Sequence, residues 1–505
     1  MNNASQMPSM PVPSEPCEAE RWNHTRLRRR MLDGVWQQDL LRRFQWQMGS
    51  ERFNAIGHIV DLSCNPFRNV AKAVSVLYDT KNVFRHNDNK AQNLIGEKGL
   101  LDKSIYAAIM PRFQMSTVGC RDYMMRISLD SSNKLRYRPV APDMIIAEEY
   151  DDMPDKPCCI RELRLREIDN KCIWTWDSFS IDDPENPQYA IYEANSDGTN
   201  GKELTNVFYK NIEDLDNFKA YSFWRYADGT PFIPYVTYHA QQPGDRLWMH
   251  CDQHELVEGT LNIGVYWSHW GHVLRDCSWP QRWTLNAVPA GMSESEAGIK
   301  GITTDPATVV ALETTGEIHP GMVGQWAAGG DPLVMLQAVS EYASRLAREA
   351  DVPESDIQRM GGTARSGYAI SLSNEGKRVA QRKYMVQFRQ SDEELIAKSA
   401  AICNRMISTD FPEDNYSVVY KEIPLSPDEL TAKSQNIFDL MDRGLMSQTR
   451  AYIEFNPGLT EEQANQDLKE IANSHTMPHP MQPVAGFNPN QNQNFNPQMR
   501  GKNGV

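Results

Sequence analysis

Apolar residues recur every three to four positions over the first part of the chain. Between residues 21 and 78 these positions are Leu32, Val35, Trp36, Leu40 and Phe44, and then, after Asn65 and Pro66, Val70, Val74 and Leu77. This period is typical of amphipathic helices, and Asn followed by Pro is a common helix start. The pattern predicts a helical first lobe.

Between residues 120 and 240 the period changes to two. Tyr123, Met125, Ile127 and Leu129 alternate with polar residues, and the alternation resumes at 135–137 after a Ser-Ser-Asn turn. A second hairpin is predicted from 160–165, through the turn 169–171, to 173–176, and a further turn at Asp197 and Gly198. A β-rich lobe is therefore expected to follow the helical one.

Helical spacing returns near residue 252. The apolar residues there are Leu256, Ile263, Trp267, Trp270 and Leu274, and Pro280 is expected to end the helix after roughly 36 Å. The stretch 280–331 is broken by Gly and Pro, which predicts strands and turns, with one short apolar piece at 309–312. A further helix is predicted over 333–350, ended by Pro353.

One very long helix is predicted from about residue 366 to 407. Its apolar residues lie about seven apart, as Leu372, Val379 and Val386 and then as Phe388, Leu395 and Ile402. A straight helix of that length would span roughly 60 Å, with Gly376 as a weak point. Three shorter helices are predicted afterwards, over 430–441, over 448–455 and after Thr460, where Gln463 completes the spacing of a capping box.

Composition limits the functions that are plausible. The 52 Lys and Arg residues and 66 Asp and Glu residues give a net charge of −14, which is the wrong sign for tight binding to phosphate backbones. No run approaches the roughly 18 apolar residues of a membrane span, and prolines interrupt the N-terminus where a signal peptide would be apolar. The sequence thus predicts a cytosolic chain with no membrane partner. Its nine cysteines are scattered and are expected to be reduced thiols.

Motifs for catalysis are incomplete. The segment 198–203 resembles a P-loop, but its glycines are too close and Glu203 stands where a magnesium-binding hydroxyl belongs. His250 and His254 lie four apart, and His269 and His272 three apart, but the two pairs are too distant on one helix to share a metal. We therefore expect no enzyme activity, no cofactor and no metal. The alternative is a metal-dependent enzyme that uses these histidines or the acidic cluster at 148–152.

One charged segment stands out within the long helix. Five cations occur without an acid and are followed at once by three acids: Lys377, Arg378, Arg382, Lys383, Arg389, Asp392, Glu393 and Glu394. Three interpretations remain open. These residues form an intersubunit interface in which a basic stretch meets a neighbour's acidic turn, or the cations contact DNA, or the segment is a solvated helix face.

Several short strings, in their order along the chain, resemble portal proteins (head-to-tail connectors) of tailed double-stranded DNA bacteriophages. The strings are NPFR (65–68), VLY (76–78), LVEGT (256–260), WGH (270–272), SWPQR (278–282), GQWA (324–327), VPESD (352–356), SGYAISLS (366–373) and GKR (376–378). The resemblance covers roughly residues 30–475, and it is their shared order rather than any single string that carries it.

The resemblance implies an α+β, mainly helical portal fold with a β-rich wing region, two stem helices, a clip, one very long wing helix and a helical crown. The implied boundaries are a flexible N-terminal arm (1–18), the wing (19–245), the first stem helix (246–275), the clip (276–331), the second stem helix (332–352), a tunnel loop (353–366), the long wing helix with a following strand (367–423), the crown (424–475) and a polar C-terminal tail (476–505).

The resemblance also implies a function and partners. Such proteins form a ring, here expected to have twelve copies, at one capsid vertex, and act as the channel for genome packaging and ejection. The implied partners are other copies of the chain, double-stranded DNA, the terminase large subunit, a head-tail adaptor and the major capsid protein. The implied location is the virion, and the host cytoplasm during assembly. Another ring or scaffold component of the virion is a further alternative.

The DNA-facing residues implied for the tunnel loop are Glu354, Asp356, Gln358, Arg359, Thr363 and Arg365.

Overall fold

The computed structural model describes residues 8–56, 60–78, 83–86, 103–129, 134–168, 170–208, 224–244, 246–248, 254–278, 282–285, 287–289, 312–314, 322–325, 331–349, 367–420, 427–456 and 461–475. Helices and strands alternate in blocks, so the chain belongs to the α+β class. None of the helices within these ranges is both long and apolar enough to cross a membrane.

The elements are numbered in chain order. The helices are α1 (Pro16–Asp33), α2 (Gln37–Met48), α3 (Ser50–Ile56), α4 (Pro66–Val74), α5 (Lys103–Cys120), α6 (Thr205–Phe208), α7 (His254–Ser278), α8 (Pro332–Glu349), α9 (Gly367–Ile407), α10 (Pro427–Asp442), α11 (Gln448–Phe455) and α12 (Glu461–His475). The strands are β1 (Val83–His86), β2 (Asp122–Leu129), β3 (Leu135–Val140), β4 (Ile145–Tyr150), β5 (Met153–Ile168), β6 (Lys171–Ser180), β7 (Gln188–Ala194), β8 (Asn200–Glu203), β9 (Trp224–Arg225), β10 (Pro231–Phe232), β11 (Tyr235–His239), β12 (Arg282–Leu285), β13 (Ala287–Pro289), β14 (Leu312–Thr314), β15 (Met322–Gln325) and β16 (Tyr416–Val419).

The predicted helical first lobe is confirmed. Gly34, at φ 78°, ends α1 in the left-handed region that glycine tolerates. The Asn65 side chain accepts a hydrogen bond from the Arg68 N–H and starts α4. This helix ends at Val74, earlier than predicted, and the backbone N–H of Leu77 donates instead to the Gln114 side chain at 3.0 Å.

The predicted flexible arm, residues 1–18, is wrong for its second half. Helix α1 begins at Pro16, a residue suited to the first helical turn. The N–H groups of Val12 and Ser14 donate to the carbonyls of Ser196 and Asp197 at 3.1 and 3.0 Å, beside the β7–β8 turn. Residues 8–15 therefore lie against the β-sheet, while residues 1–7 are outside the described ranges.

Both predicted hairpins are confirmed. Strands β2 and β3 pair antiparallel with Leu129 opposite Leu135, and β5 and β6 pair with Ile168 opposite Lys171. The first hairpin belongs to a three-stranded sheet of order β11-β2-β3, and the second to a five-stranded sheet of order β4-β5-β6-β7-β8. The predicted turn at Gly198, which has φ 80°, joins β7 to β8.

Helix α9 covers the open edge of the three-stranded sheet. The Ser391 hydroxyl donates to the carbonyl of Thr237 at 2.8 Å, and the Lys398 ammonium donates to that of Tyr235 at 2.6 Å. Side chains that occupy edge carbonyls protect a sheet from pairing with another chain. The three residues seven apart in this half of the helix, Phe388, Leu395 and Ile402, are all buried in the main core.

The C-terminal helices form a second compact unit, residues 425–505, of which α10, α11 and α12 are described. The Ser447 hydroxyl accepts from the Arg450 N–H and caps α11, while the Lys433 ammonium donates to the Glu454 carbonyl between α10 and α11. The three predicted helices are confirmed. Thr460 of the predicted capping box and the tail 476–505 lie outside the described ranges.

Candidate functional site

The first half of α9 carries an exposed face that mixes apolar and basic side chains. Val379 is 50% exposed and Val386 is 63% exposed, although both lie in a helix of a protein with a large core. Arg382, Lys383 and Arg389 are exposed on the same face, since they follow Val379 by three, four and ten residues. We call Val379, Arg382, Lys383, Val386 and Arg389 the basic ridge.

Two of the residues predicted to form an intersubunit interface are buried in this chain instead. Arg378 is only 6% exposed, and Asp392 is fully buried. Both residues lie on the side of the helix that faces the core. Because a helix that packs along one face buries every third or fourth residue, some members of a charged run become buried. Of the remaining acids, Glu393 accepts from the Val418 N–H at 3.3 Å and Glu394 pairs with Lys398 at 2.6 Å. The acids of the predicted acidic turn thus bond to residues of their own subunit. Lys377, at the start of the basic stretch, is partly buried.

Asp392 is the centre of a buried hydrogen-bond cluster. The hydroxyls of Tyr78, Tyr238 and Tyr420 donate to its carboxylate at 2.9, 2.8 and 2.6 Å. Burial raises the pKa of Asp392 from 3.8 to about 6, although the tyrosine hydrogen bonds oppose the shift. The cluster joins α9 to β11 and to the segments beyond α4 and β16, and it fixes the position of the long helix.

A second buried charge cluster lies between the two larger sheets, and no spacing in the sequence predicted it. Arg126 of β2 bonds to Glu162 of β5 at 2.7 Å, and Glu162 also accepts from Arg138 and from the Tyr235 hydroxyl. Asp177 of β6 binds Arg164 and Arg166 at 3.1 and 2.7 Å. Burial alone would raise the pKa of Glu162, but the Arg126 and Arg138 charges hold it below its usual value.

Helices α7 and α8 form an antiparallel pair that continues into paired strands. Trp270 Nε1 donates to the Pro332 carbonyl at 3.0 Å, and the rings of Tyr266 and Tyr342 meet edge to face with centroids 5.8 Å apart. Beyond the pair, β12 pairs with β15 and β13 with β14, so the outgoing and returning chain remain side by side. We call 254–349 the helix–strand arm; residues 290–311 and 315–321 between its strands lie outside the described ranges.

The predicted bounds of this arm need correction. The first helix was predicted over 246–275, but it spans 254–278, because Leu247 is buried in the β-rich lobe and its N–H donates to Glu149 at 2.9 Å. The second helix spans 332–349 of the predicted 332–352. The strand predicted at 309–312 is described only from Leu312 onward.

Glycines let α7 approach its neighbours closely. A Cβ at Gly259 would lie 2.6 Å from the terminal carbons of Leu346 in α8, and one at Gly264 would lie 2.9 Å from Leu40 and Trp36. By contrast, a Cβ at Gly271 meets nothing within 4 Å. The tight contact between α7 and α8 therefore depends on Gly259.

We expect Gly259→Ala to lower the free energy of unfolding by about 1–3 kcal/mol, because an added methyl group overpacks the contact with Leu346. Gly271→Ala is the matched control in the same helix and should raise it by up to about 1 kcal/mol through helix propensity. Urea unfolding monitored by circular dichroism measures both. Equal effects of the two substitutions would contradict the close packing.

Among the described residues, the side chains considered for catalysis do not assemble into a site. Within the described residues, no group of three His, Cys, Asp or Glu side chains is placed to hold a metal ion. His254 stacks on His24 with centroids 4.9 Å apart, and His269 and His272 contact the Phe44 ring. His250 lies outside the described ranges. In the acidic cluster 148–152, Glu148 contacts Arg161 at 3.3 Å and Glu149 binds the Leu247 N–H.

A cavity of about 460 Å³ lies beside the β11 edge, and several of its polar groups have partners within the chain. His239 Nδ1 lies 2.8 Å from Asp122, and Ser391 and Lys398 bond to the β11 carbonyls as described above. Ser391 and Lys398 thus cover the sheet edge at this cavity.

The proposed tunnel-loop residues, Glu354, Asp356, Gln358, Arg359, Thr363 and Arg365, lie outside the described ranges. The structure therefore brings together one part of the predicted site, the exposed cations Arg382, Lys383 and Arg389 of the basic ridge on α9. No family model matches this chain, and no curated protein matches it.

Proposed function

We propose that this chain is a portal protein: a ring-forming channel at one capsid vertex through which double-stranded DNA enters and leaves. The observation that carries the proposal is the helix–strand arm, in which two antiparallel helices lead out to paired strands and back. This arrangement resembles the stem and clip implied by the resemblance: the two helices pack in the main core, and the paired strands lie beyond them.

Exposed apolar side chains on the arm support assembly. Leu333 and Val334 at the start of α8 are 70% and 60% exposed, and Leu285 and Met322 on the strands are more than half exposed. Apolar surface concentrated on one extension usually marks a contact with a partner. In a ring, a neighbouring copy would cover it.

The remaining elements have corresponding parts in the proposal. Helices α1–α5 and the two sheets would form the wing, α9 would cross it, and α10–α12 would form the crown. The net charge of −14 per chain makes a ring of about twelve copies strongly anionic. An anionic bore repels phosphates, so DNA slides through it without the salt-sensitive attraction that many cation contacts would add.

The proposal includes the partners of such a channel. The terminase large subunit would dock during packaging and a head-tail adaptor afterwards, and the major capsid protein would surround the ring in the virion. The chain would perform no hydrolysis and bind no cofactor.

A native mass measurement of the purified protein tests the proposal. We expect a species near twelve times 57.6 kDa, the ring size that the resemblance implies, in which neighbouring copies cover the exposed apolar side chains of the arm. A monomer or dimer at micromolar concentration would contradict it and would favour the metal-dependent enzyme.

A further inference from the structure

The basic ridge of α9 has properties that solvent exposure alone does not explain. Its two valines lie seven residues apart, so they project from the same side two turns apart. Arg382, Lys383 and Arg389 flank them, and among the described residues none of these three makes a hydrogen bond or ion pair. The ridge is therefore an apolar strip edged by three available cations.

A groove on the same chain has the complementary character. It has a volume of about 860 Å³ and lies between α1 and strand β4. Three exposed carboxylates line it: Glu15, Glu20, whose side chain is 73% exposed, and Glu148, whose side chain is 62% exposed. Ile146, Ala147 and Trp248 supply apolar surface. We call this the acidic groove.

The other charged residues of the acidic groove are largely engaged. Arg21 pairs with Glu18 and lies over the Trp248 ring at 4.3 Å, and Arg161 contacts Glu148 at 3.3 Å. Glu149 holds the Leu247 N–H. Arg246 is the third arginine of the lining, so five glutamates outnumber three arginines, and burial lowers the pKa of His24.

We infer that the basic ridge of one copy docks into the acidic groove of the next copy. This inference rests on the proposed ring. The acidic groove replaces the predicted acidic turn of α9 as the partner of the cations, because Asp392 is buried within its own subunit. Three cations would face three carboxylates, and the two valines would cover the apolar lining of the groove. Because ridge and groove are different surfaces, the contact is head-to-tail, and such contacts close into rings when the rotation permits.

The valines decide between a protein partner and DNA. Contact with a phosphate backbone uses cations and gains nothing from two exposed valines on the same face. A neighbouring subunit with an apolar lining removes those side chains from water. The ridge therefore fits another copy of this chain better than it fits the duplex.

Charge reversal on each surface tests the inference. The ridge variant carries Arg382→Glu, Lys383→Glu and Arg389→Glu, and the groove variant carries Glu15→Lys, Glu20→Lys and Glu148→Lys. Each variant alone should lose the ring or need about tenfold more protein to assemble, with the larger loss at low salt where repulsion is less screened. An equimolar mixture should restore rings in which the two variants alternate, because the reversed ridge fits the reversed groove and the native ridge fits the native groove.

The outcomes separate this inference from the proposed function. If the unaltered chain forms no ring, the proposed function fails. If the unaltered chain forms rings and both variants do so equally well, or if the two variants fail to rescue each other although each is folded by circular dichroism, the ridge–groove contact is overturned while the ring stands. Lys469→Glu and Glu167→Lys, exposed changes of the same kind elsewhere, are the controls and should assemble normally.

Discussion

Replacing Glu162 by glutamine should destabilise the protein by about 3–5 kcal/mol, the largest effect that we expect from a single substitution. Glu162 is buried and neutralises Arg126 and Arg138 between the two sheets. Removing one member of a buried ion pair leaves the other charges without compensation, which costs more than the pair itself contributes. Chemical unfolding of the purified variant at pH 7.5 measures the loss.

Glu167→Gln is the control for that change, because Glu167 is exposed on the same strand and its loss should alter stability by no more than about 0.5 kcal/mol. The lowered pKa of Glu162 also determines how its contribution to the stability of the protein depends on pH. Its stabilising contribution is present above the unfolded pKa of about 4.5 and is lost as the pH falls below it. A Glu162→Gln variant as stable as the Glu167→Gln variant would show that the cluster does not hold the two sheets together.

Asp392 contributes to stability with the opposite dependence on pH, and the Asp392→Asn variant should lack that contribution. The pKa of Asp392 is raised from 3.8 to about 6, so the folded state binds its proton more tightly than the unfolded state does. The stability that this proton contributes is fully present below pH 3.8 and is lost as the pH rises through 6. That shift corresponds to about 3 kcal/mol, which the asparagine variant should not lose.

The difference in unfolding free energy between the variant and the unaltered chain is the quantity to measure from pH 4 to pH 8. We expect the variant to gain about 2–3 kcal/mol relative to the unaltered chain over that interval, with most of the change between about pH 4 and pH 6. Asp410→Asn, an exposed change beyond the same helix, should show no such gain. A difference that stays constant with pH would mean that Asp392 is not buried among tyrosine hydroxyls.

Local patterns allowed most helices and hairpins to be predicted, because the buried face of each element repeats along its own sequence. Helix α9 is the clearest case: Phe388, Leu395 and Ile402 are all buried, as a seven-residue spacing on one side of a helix requires. Helix α5 was missed, since it is buried on several sides, with Gln114 and Thr117 as hidden as Phe113, and no single apolar face appears in its sequence.

The sites depend on contacts that sequence spacing does not reveal. The tyrosines that bind Asp392 lie 314, 154 and 28 residues away from it, so the acid appeared to belong to the charged run of α9. Arg126 and Glu162 likewise come from different sheets. A run of charged residues in a helix sequence does not show which of them are exposed. That depends on which face of the helix packs against the other elements.

Electron microscopy of the negatively stained, purified protein tests the central claim most directly. The account predicts ring-shaped particles with a central opening and a rotational symmetry near twelve, made of this chain alone. Compact particles of one or two subunits, with no opening at any protein concentration, would contradict it.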